Sequence, residues 1–315
     1  MGSAGFIVTQ VGPHVSIQDS GRPGLMRFGV PVSGPMDRTA FTIANAALGN
    51  ATVPPGIEIS MGGLQLDCVE GSVTIALAGG GFQAEIDGSS FGSWAVSTVS
   101  AGSRLVVKPG PWGSWTYLVF AGNLQAKRWL GSAATHSQSG FGGGRLALGQ
   151  RLVVENAEVR PDRCGAIPCP VFARPRASLR IVLGPQDRFF AADTMGALLW
   201  RPYSLTDAYD RMGVRLAGPS LPPVGKLDMP SEAIVRGSIQ VAGDGHPTVL
   251  LADHQTTGGY PKIATVIADD VDGFVQLRSR HQVVFESITP HMAIEAARDR
   301  RRVRDQFLAR LMHRA

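Results

Sequence analysis

Short apolar runs recur along the whole chain, each broken by Gly, Pro or a polar cluster. Val, Ile, Thr and Phe dominate them, which is the pattern of strands rather than helices. In the first half the predicted strands are Phe6–Gln10, His14–Gln18, Gly56–Ser60, Leu64–Cys68, Ser72–Ala78, Phe82–Ile86, Arg104–Lys108, Thr116–Ala121 and Arg151–Glu155. A second series follows at Leu179–Leu183, Ser204–Asp207, Ser238–Val241, Thr248–Leu251, Phe274–Leu277 and Gln282–Glu286. The polar alternation Gln83-Ala84-Glu85-Ile86 ends at Asp87-Gly88, a hairpin signal.

Helical spacing is rare. Phe41, Ala44, Ala47 and Leu48 share one face of a helix predicted over Met36–Leu48. Ser33 or Asp37 can cap it, and Gly49-Asn50 stops it. A second helix is predicted in Asp187–Leu199. A third starts at Thr289-Pro290, an N-cap followed by Pro at the first helical position. Arg160–Ala177 is rich in Pro and Arg and has no clear period, so it reads as a linker. The expectation is a mostly β protein with two domains, 1–160 and 178–288, joined by 161–177 and followed by a basic helix over 289–315. A length of 315 residues suits that count.

Composition sharpens this picture. At 44% hydrophobic and 17% charged residues the chain can bury a core. Net charge is +5, but +4 of it lies after Thr289. There Arg298, Arg300, Arg301, Arg302, Arg304, Arg310 and Arg314 face only Glu295, Asp299 and Asp305. The body is nearly neutral, which argues against a nucleic-acid-binding face. Cys68, Cys164 and Cys169 form neither a disulfide framework nor a zinc set, and no metal site is expected. No apolar run approaches the ~18 residues of a membrane span, and Met1-Gly2-Ser3-Ala4-Gly5 lacks a signal pattern. A reducing, cytoplasmic setting is expected.

Four loops carry chemistry. Asp253-His254-Gln255-Thr256-Thr257-Gly258-Gly259-Tyr260-Pro261-Lys262 follows the apolar run Thr248–Ala252. It puts polar side chains at one rim of a domain, and its two glycines allow close backbone approach to a ligand. Asp253 with Lys262 reads as an acid–base or electrostatic pair. Gln255, Thr256, Thr257 and Tyr260 suit a polar planar ligand such as an amide, a ureido group or a lactam. The alternative is a hydrogen-bonded corner. His254 has the pKa range of a general base, yet a lone loop His is commonly a surface residue. The loop Gln18–Gly24, continuing through Gly29–Arg38, offers Gln18, Asp19, Arg22, Ser33 and Asp37. Arg22 can hold a carboxylate, or can pair with Asp19 to brace the loop. Ser139-Gly140-Phe141-Gly142-Gly143-Gly144-Arg145 is a lid or a plain surface loop, and not a P-loop. Asp210, Arg211 and Arg215 can serve substrate charge or salt bridges.

Together these segments resemble a known family. Gln18-Asp19-x-Gly21-Arg22-Pro23-Gly24, Gly29-Val30-Pro31-x-Ser33-Gly34-x-Met36-Asp37, Asp210-Arg211-Met212-Gly213-x-Arg215-Leu216 and Gln255–Pro261 are similar to the KipA / allophanate hydrolase subunit 2 family. That family is also called biotin-dependent carboxyltransferase-like and includes the 5-oxoprolinase subunit PxpC. The resemblance runs from about Phe6 to about Ile288. It implies two cyclophilin-like β-barrel domains and a KipI/PxpB-like partner subunit. For an ATP-dependent 5-oxoprolinase it also implies a LamB/YcsF (PxpA)-like third subunit, with ATP used by the complex. It leaves two other activities open. One is carboxyl transfer to urea or a related amide, with biotin carried by another protein. The other is non-catalytic antagonism of a KipI-like kinase inhibitor. One departure is visible: Gly149-Gln150 stands where many relatives read Gly-Asp.

Overall fold

The computed structural model describes residues 2–224 and 229–313. Arg314, counted above in the basic tail, lies outside them. The fold is mostly β, in two units. The first comprises Met1–Arg22, Asp37–Arg174 and Val303–Ala315; the second comprises Pro23–Met36 and Pro175–Arg302.

In the first unit, strands run β1 (Gly2–Val11), β2 (Ser16–Gln18), β3 (Gly56–Ser60), β4 (Leu64–Glu70), β5 (Ser72–Ala78), β6 (Gln83–Ile86) and β7 (Ser89–Gly92). They continue as β8 (Ala95–Ser100), β9 (Arg104–Lys108), β10 (Trp115–Phe120), β11 (Asn123–Leu124), β12 (Arg151–Ala157) and β13 (Gly165–Ala166). They build a seven-stranded sheet, β11-β12-β1-β4-β9-β6-β7, and a six-stranded sheet, β13-β8-β5-β10-β3-β2. Phe6 of β1 meets Phe120 of β10 with ring centroids 5.6 Å apart, which places the core between the sheets. The predicted hairpin forms: Asp87 and Gly88 both take positive φ (49° and 86°), as a type I′ turn requires.

Helix α1 (Arg38–Leu48) packs on β5 and β10. Asp37 is its N-cap, its Oδ1 accepting the Ala40 N–H at 2.9 Å, and Gly49 ends it in the left-handed region. Gly56 permits this packing, since a Cβ there would lie 2.7 Å from Val119 and 3.0 Å from the Phe41 ring.

In the second unit, β14 (Ser178–Leu183), β15 (Tyr203–Tyr209), β16 (Gly213–Ala217), β17 (Glu232–Ala233), β18 (Ser238–Val241), β19 (Pro247–Leu250), β20 (Thr257–Gly258), β21 (Lys262–Val266) and β22 (Gln282–Ser287) follow. Seven of them close a barrel, β14-β21-β18-β19-β16-β15-β22, sealed by the parallel pairing of β22 with β14. The remaining pair, β17-β20, lies outside the barrel order. Helix α2 (Ala192–Trp200) begins only after a 3-10 turn at Asp187–Phe189, so the predicted helix is shorter than expected. The strand expected at Phe274–Leu277 is absent: Phe274 ends α3 (Ala268–Phe274) and Val275 stays in the helical region. A four-residue apolar run cannot be told from a buried helix segment by period alone, and Asp269 and Asp270 favour a helix start just upstream.

Helix α4 (Pro290–Met312) begins as predicted, with Thr289 Oγ1 accepting the Met292 N–H at 3.2 Å. Its last turns group with the first unit, where Phe307 stacks on Phe172 edge-to-face. Arg163 caps it by donating to the Leu311 and Met312 carbonyls at 2.8 and 3.0 Å. Among the described residues no helix is long and apolar enough to cross a membrane.

Candidate functional site

The first unit gathers Gln18, Asp19 and Arg22 at the end of β2, against the loop that follows Trp129. Asp19 is buried, and its carboxylate organises that loop: Oδ1 accepts from Ser132 Oγ (2.5 Å), Gly21 N (3.0 Å) and Ala134 N (3.2 Å). Its Oδ2 accepts from Ala133 N at 2.6 Å. Arg22, also buried, donates to the Ala134 and Trp129 carbonyls, and its guanidinium lies 4.9 Å from the Trp129 ring centroid. The glycine-dense loop is tied to the same place. Gly144 N–H donates to Thr135 Oγ1 at 2.9 Å, and Ile17 N–H donates to the Gly144 carbonyl at 3.1 Å. Gln18 Nε2 donates to Ser16 Oγ (2.9 Å) and to the Thr135 carbonyl (3.3 Å), while its buried Oε1 has no partner among the described residues.

A buried polar row continues across β2, β3 and β10. Ser16 faces Glu58, and Glu58 faces Tyr117, as direct cross-strand neighbours. Tyr117 OH donates to Glu58 Oε2 at 2.9 Å and accepts the Asp37 N–H at 2.6 Å. Burial, reinforced by the charges of Glu58 and Asp37, pushes the Tyr117 phenol well above its ordinary pKa, so it stays protonated as a donor. Glu58 and Tyr117 were not singled out from sequence. A Glu flanked by two isoleucines in the strand Gly56-Ile57-Glu58-Ile59-Ser60 was the available signal.

In the second unit two arginines hold the Ser33–Met36 segment. Arg211 and Asp253 form a bidentate pair (Nε–Oδ2 2.9 Å, Nη2–Oδ1 3.1 Å), with side chains 1% and 0% exposed. Arg211 Nη2 also donates to the Gly34 carbonyl at 2.6 Å. Arg236 donates to the Met36 carbonyl and pairs with Asp272 Oδ1 at 3.2 Å. Ser33 and Gly34 both have positive φ (55° and 83°), a strained geometry for Ser that the two clamps maintain. Ser33 Oγ is buried without a hydrogen-bond partner among the described residues. His254 is buried, not a surface residue. Its Nδ1 sits 2.6 Å from the Gln255 carbonyl, which can only accept, so Nδ1 carries the proton and Nε2 the lone pair. Burial lowers its pKa and keeps the ring neutral.

Lys262 opens β21, opposite Gln240 on β18. Its Nζ meets Glu232 Oε2 at 3.2 Å and donates to the Ala233 carbonyl at 2.9 Å, and its main-chain N–H donates to Gln186 Oε1 at 3.0 Å. Gln186 donates in turn to Glu232. Gln255 Nε2 reaches Gln240 Oε1 at 3.4 Å, and Gln240 holds the Tyr260 carbonyl at 3.2 Å. Thr257 and Tyr260 are exposed, and Thr256 is half-buried. Asp253 and Lys262 thus have separate ion-pair partners, Arg211 and Glu232. Asp210 is exposed and closes a turn by accepting from Met212 N at 2.7 Å. Gln186, Glu232, Arg236 and Asp272 were also not singled out from sequence; their contacts join residues distant in the chain.

The chain is thus a mostly β protein of two units, one of them a closed barrel with a buried ion pair, and comparison with known proteins gives its family. Residues 28–287 match the model of the carboxyltransferase domain, subdomains A and B, and the chain belongs to that family. It is 33% identical over 300 residues to the 5-oxoprolinase C subunit of Haemophilus influenzae, covering 94% of each chain. It is 30% identical to the 5-oxoprolinase C subunit of Escherichia coli, covering 96% of this chain and 98% of that one. The crystal structure of Kluyveromyces lactis urea carboxylase superposes with a TM-score of 0.84 at 25% identity, over 96% of this chain and 29% of that one.

Proposed function

We propose that this chain is the C subunit of an ATP-dependent 5-oxoprolinase-type complex that opens 5-oxoproline to glutamate. The observation that carries this reading is the likeness to the 5-oxoprolinase C subunit over 94% of both chains. The reading brings with it a KipI/PxpB-like partner, a LamB/YcsF (PxpA)-like third subunit, ATP consumed by the complex, a cytoplasmic location and cyclophilin-like topology in both units. The closed barrel of the second unit supports the last of these.

Within this reading Lys262 is the electrostatic group for the substrate, steered by Glu232 and the Ala233 carbonyl. Gln255, Thr256, Thr257 and Tyr260 supply donors around it. Asp253 acts through Arg211, positioning the Ser33–Met36 segment. On the first unit Gln18, Asp19, Arg22 and Asp37 belong to a buried, preorganised polar network that shapes the loops above it. Fixed donors such as the Lys262 ammonium, the Gln255 amide and the hydroxyls of Thr256, Thr257 and Tyr260 stabilise the oxyanion that develops as a carbonyl is attacked. The test is to purify the chain with its two partner subunits and follow glutamate release from 5-oxoproline with ATP. Turnover that falls in Lys262→Met while the complex stays assembled is expected. An intact complex that releases no glutamate overturns the reading.

The likeness to urea carboxylase favours a second reading, carboxyl transfer to urea or a related amide from biotin borne by another protein. It requires a biotinylated protein in active preparations, and avidin depletion that leaves activity intact removes it.

A further inference from the structure

A concavity of the first unit lies apart from the candidate site described above. It holds about 490 Å³ on the outward face of β6, β7 and β9. Volumes of this size suit small ligands. Directly paired residues share a face, so Gln83 with Lys108 and Glu85 with Ser90 all point outward, while Ala84 and Val107 are buried beneath.

Three features show a built site. First, the wall is preorganised. Gly81 donates to the Trp112 carbonyl at 2.7 Å, and a Cβ on Gly81 would collide with the Trp112 indole, so the ring rests directly on that glycine. Second, Trp94 borders the cavity with φ of 68°, a genuine outlier for a bulky residue. Its N–H donates to Leu77 O at 2.6 Å and its indole N–H to Gly80 O at 2.9 Å, which hold it there. Strain of this kind clusters at ligand-binding positions. Third, the cavity carries one charge of each sign. Glu85 and Lys108 are diagonal neighbours on adjacent strands, with Cβ atoms roughly 7 Å apart by sheet geometry. Neither forms an ion pair with the other or with any described residue.

We propose that this concavity binds a zwitterionic α-amino acid. Its ammonium pairs with Glu85, its carboxylate with Lys108, and its side chain lies along Trp112. The proposal is independent of the oxoprolinase reading, since it uses none of the same residues. The test titrates the full-length chain with L-glutamate and L-phenylalanine, reading heat and tryptophan fluorescence. Saturable binding of at least one is expected. Blocking either its amine (N-acetyl) or its carboxylate (amide) weakens binding by about tenfold or more, the loss of one charge-assisted hydrogen bond. Glu85→Gln and Lys108→Met do the same with unchanged circular dichroism, because neither side chain holds the fold together. Gly81→Ala, which displaces the indole, also weakens binding. The proposal is overturned if neither probe binds, if blocked and free forms bind alike, or if Glu85→Gln and Lys108→Met leave binding unchanged.

Discussion

Replacing Asp253 by Ala strands a guanidinium that is 1% exposed. Breaking a buried pair from one side costs about 3–5 kcal/mol, because the surviving charge stays desolvated and unpaired. The double variant Arg211→Met with Asp253→Leu removes both charges and fills the volume. Its remaining cost includes the Gly34 carbonyl, which loses the 2.6 Å bond from Arg211, a penalty of about 1–3 kcal/mol. The double variant is therefore more stable than Asp253→Ala alone, a strongly non-additive cycle. Urea unfolding followed by tryptophan fluorescence and far-UV circular dichroism measures all three proteins, with the two probes checking that one transition is being compared. Additive losses in the double variant, or an Asp253→Ala loss below about 1 kcal/mol, refute the view that the pair acts as a buried unit.

Other expectations follow from the same contacts. Asp270 is buried, which alone raises its pKa, yet hydrogen bonds from Arg180 and Arg176 outweigh this and hold it below the usual carboxylate range. Its stabilisation is present above the unfolded pKa of about 3.9 and is lost as pH falls through the lower folded value, so Asp270→Asn flattens the acid limb of a urea-midpoint-against-pH curve. The His254 pKa is lowered by burial, so the unfolded chain takes up its proton first. Stability then falls as pH drops below about 6.5 towards the lower folded value, and His254→Gln removes that slope in the same measurement. Asp37→Ala loses the α1 cap and about 1 kcal/mol of stability, while Asp37→Asn keeps the cap and most of the stability, read as shifts in urea midpoint. Gly56→Ala forces a methyl against Val119 and Phe41 and costs about 1–3 kcal/mol by the same assay.

Local chemistry was legible where local rules decide the outcome. Asp87-Gly88 announced its hairpin, Asp37 and Gly49 bracketed α1, and Thr289-Pro290 opened α4. Ser238–Val241 coincides with its strand. Phe274–Leu277 failed because a short buried apolar run carries no period of its own. The short strand β7 and the strand β21 that begins at Lys262 were also missed, since Ser, Gly and Lys dilute their apolar signal. In the candidate site the sequence pointed to Asp19, Arg22, Arg211, Asp253 and Lys262. It did not reveal their partners. Those partners are backbone carbonyls at Ala134, Gly34 and Ala233, or acids far along the chain such as Glu232. Which carbonyl an arginine meets depends on how the chain returns to it, and no local pattern encodes that.

The Gly34 carbonyl and its arginine are 177 residues apart in the chain, and the Met36 carbonyl and its arginine 200. The order of synthesis therefore matters. Pro23–Met36 leaves the ribosome early but belongs to a unit whose barrel is made last, so it must wait for Arg211 and Arg236 to emerge. Long-range contacts of this kind slow folding, and domains ordinarily mature as soon as their own chain is complete. A gene cut at the Pro-rich linker would yield a C-terminal fragment lacking the strip that its two arginines grip. The barrel is not a portable module: recombination that moves it intact must carry a piece of the N-terminus along.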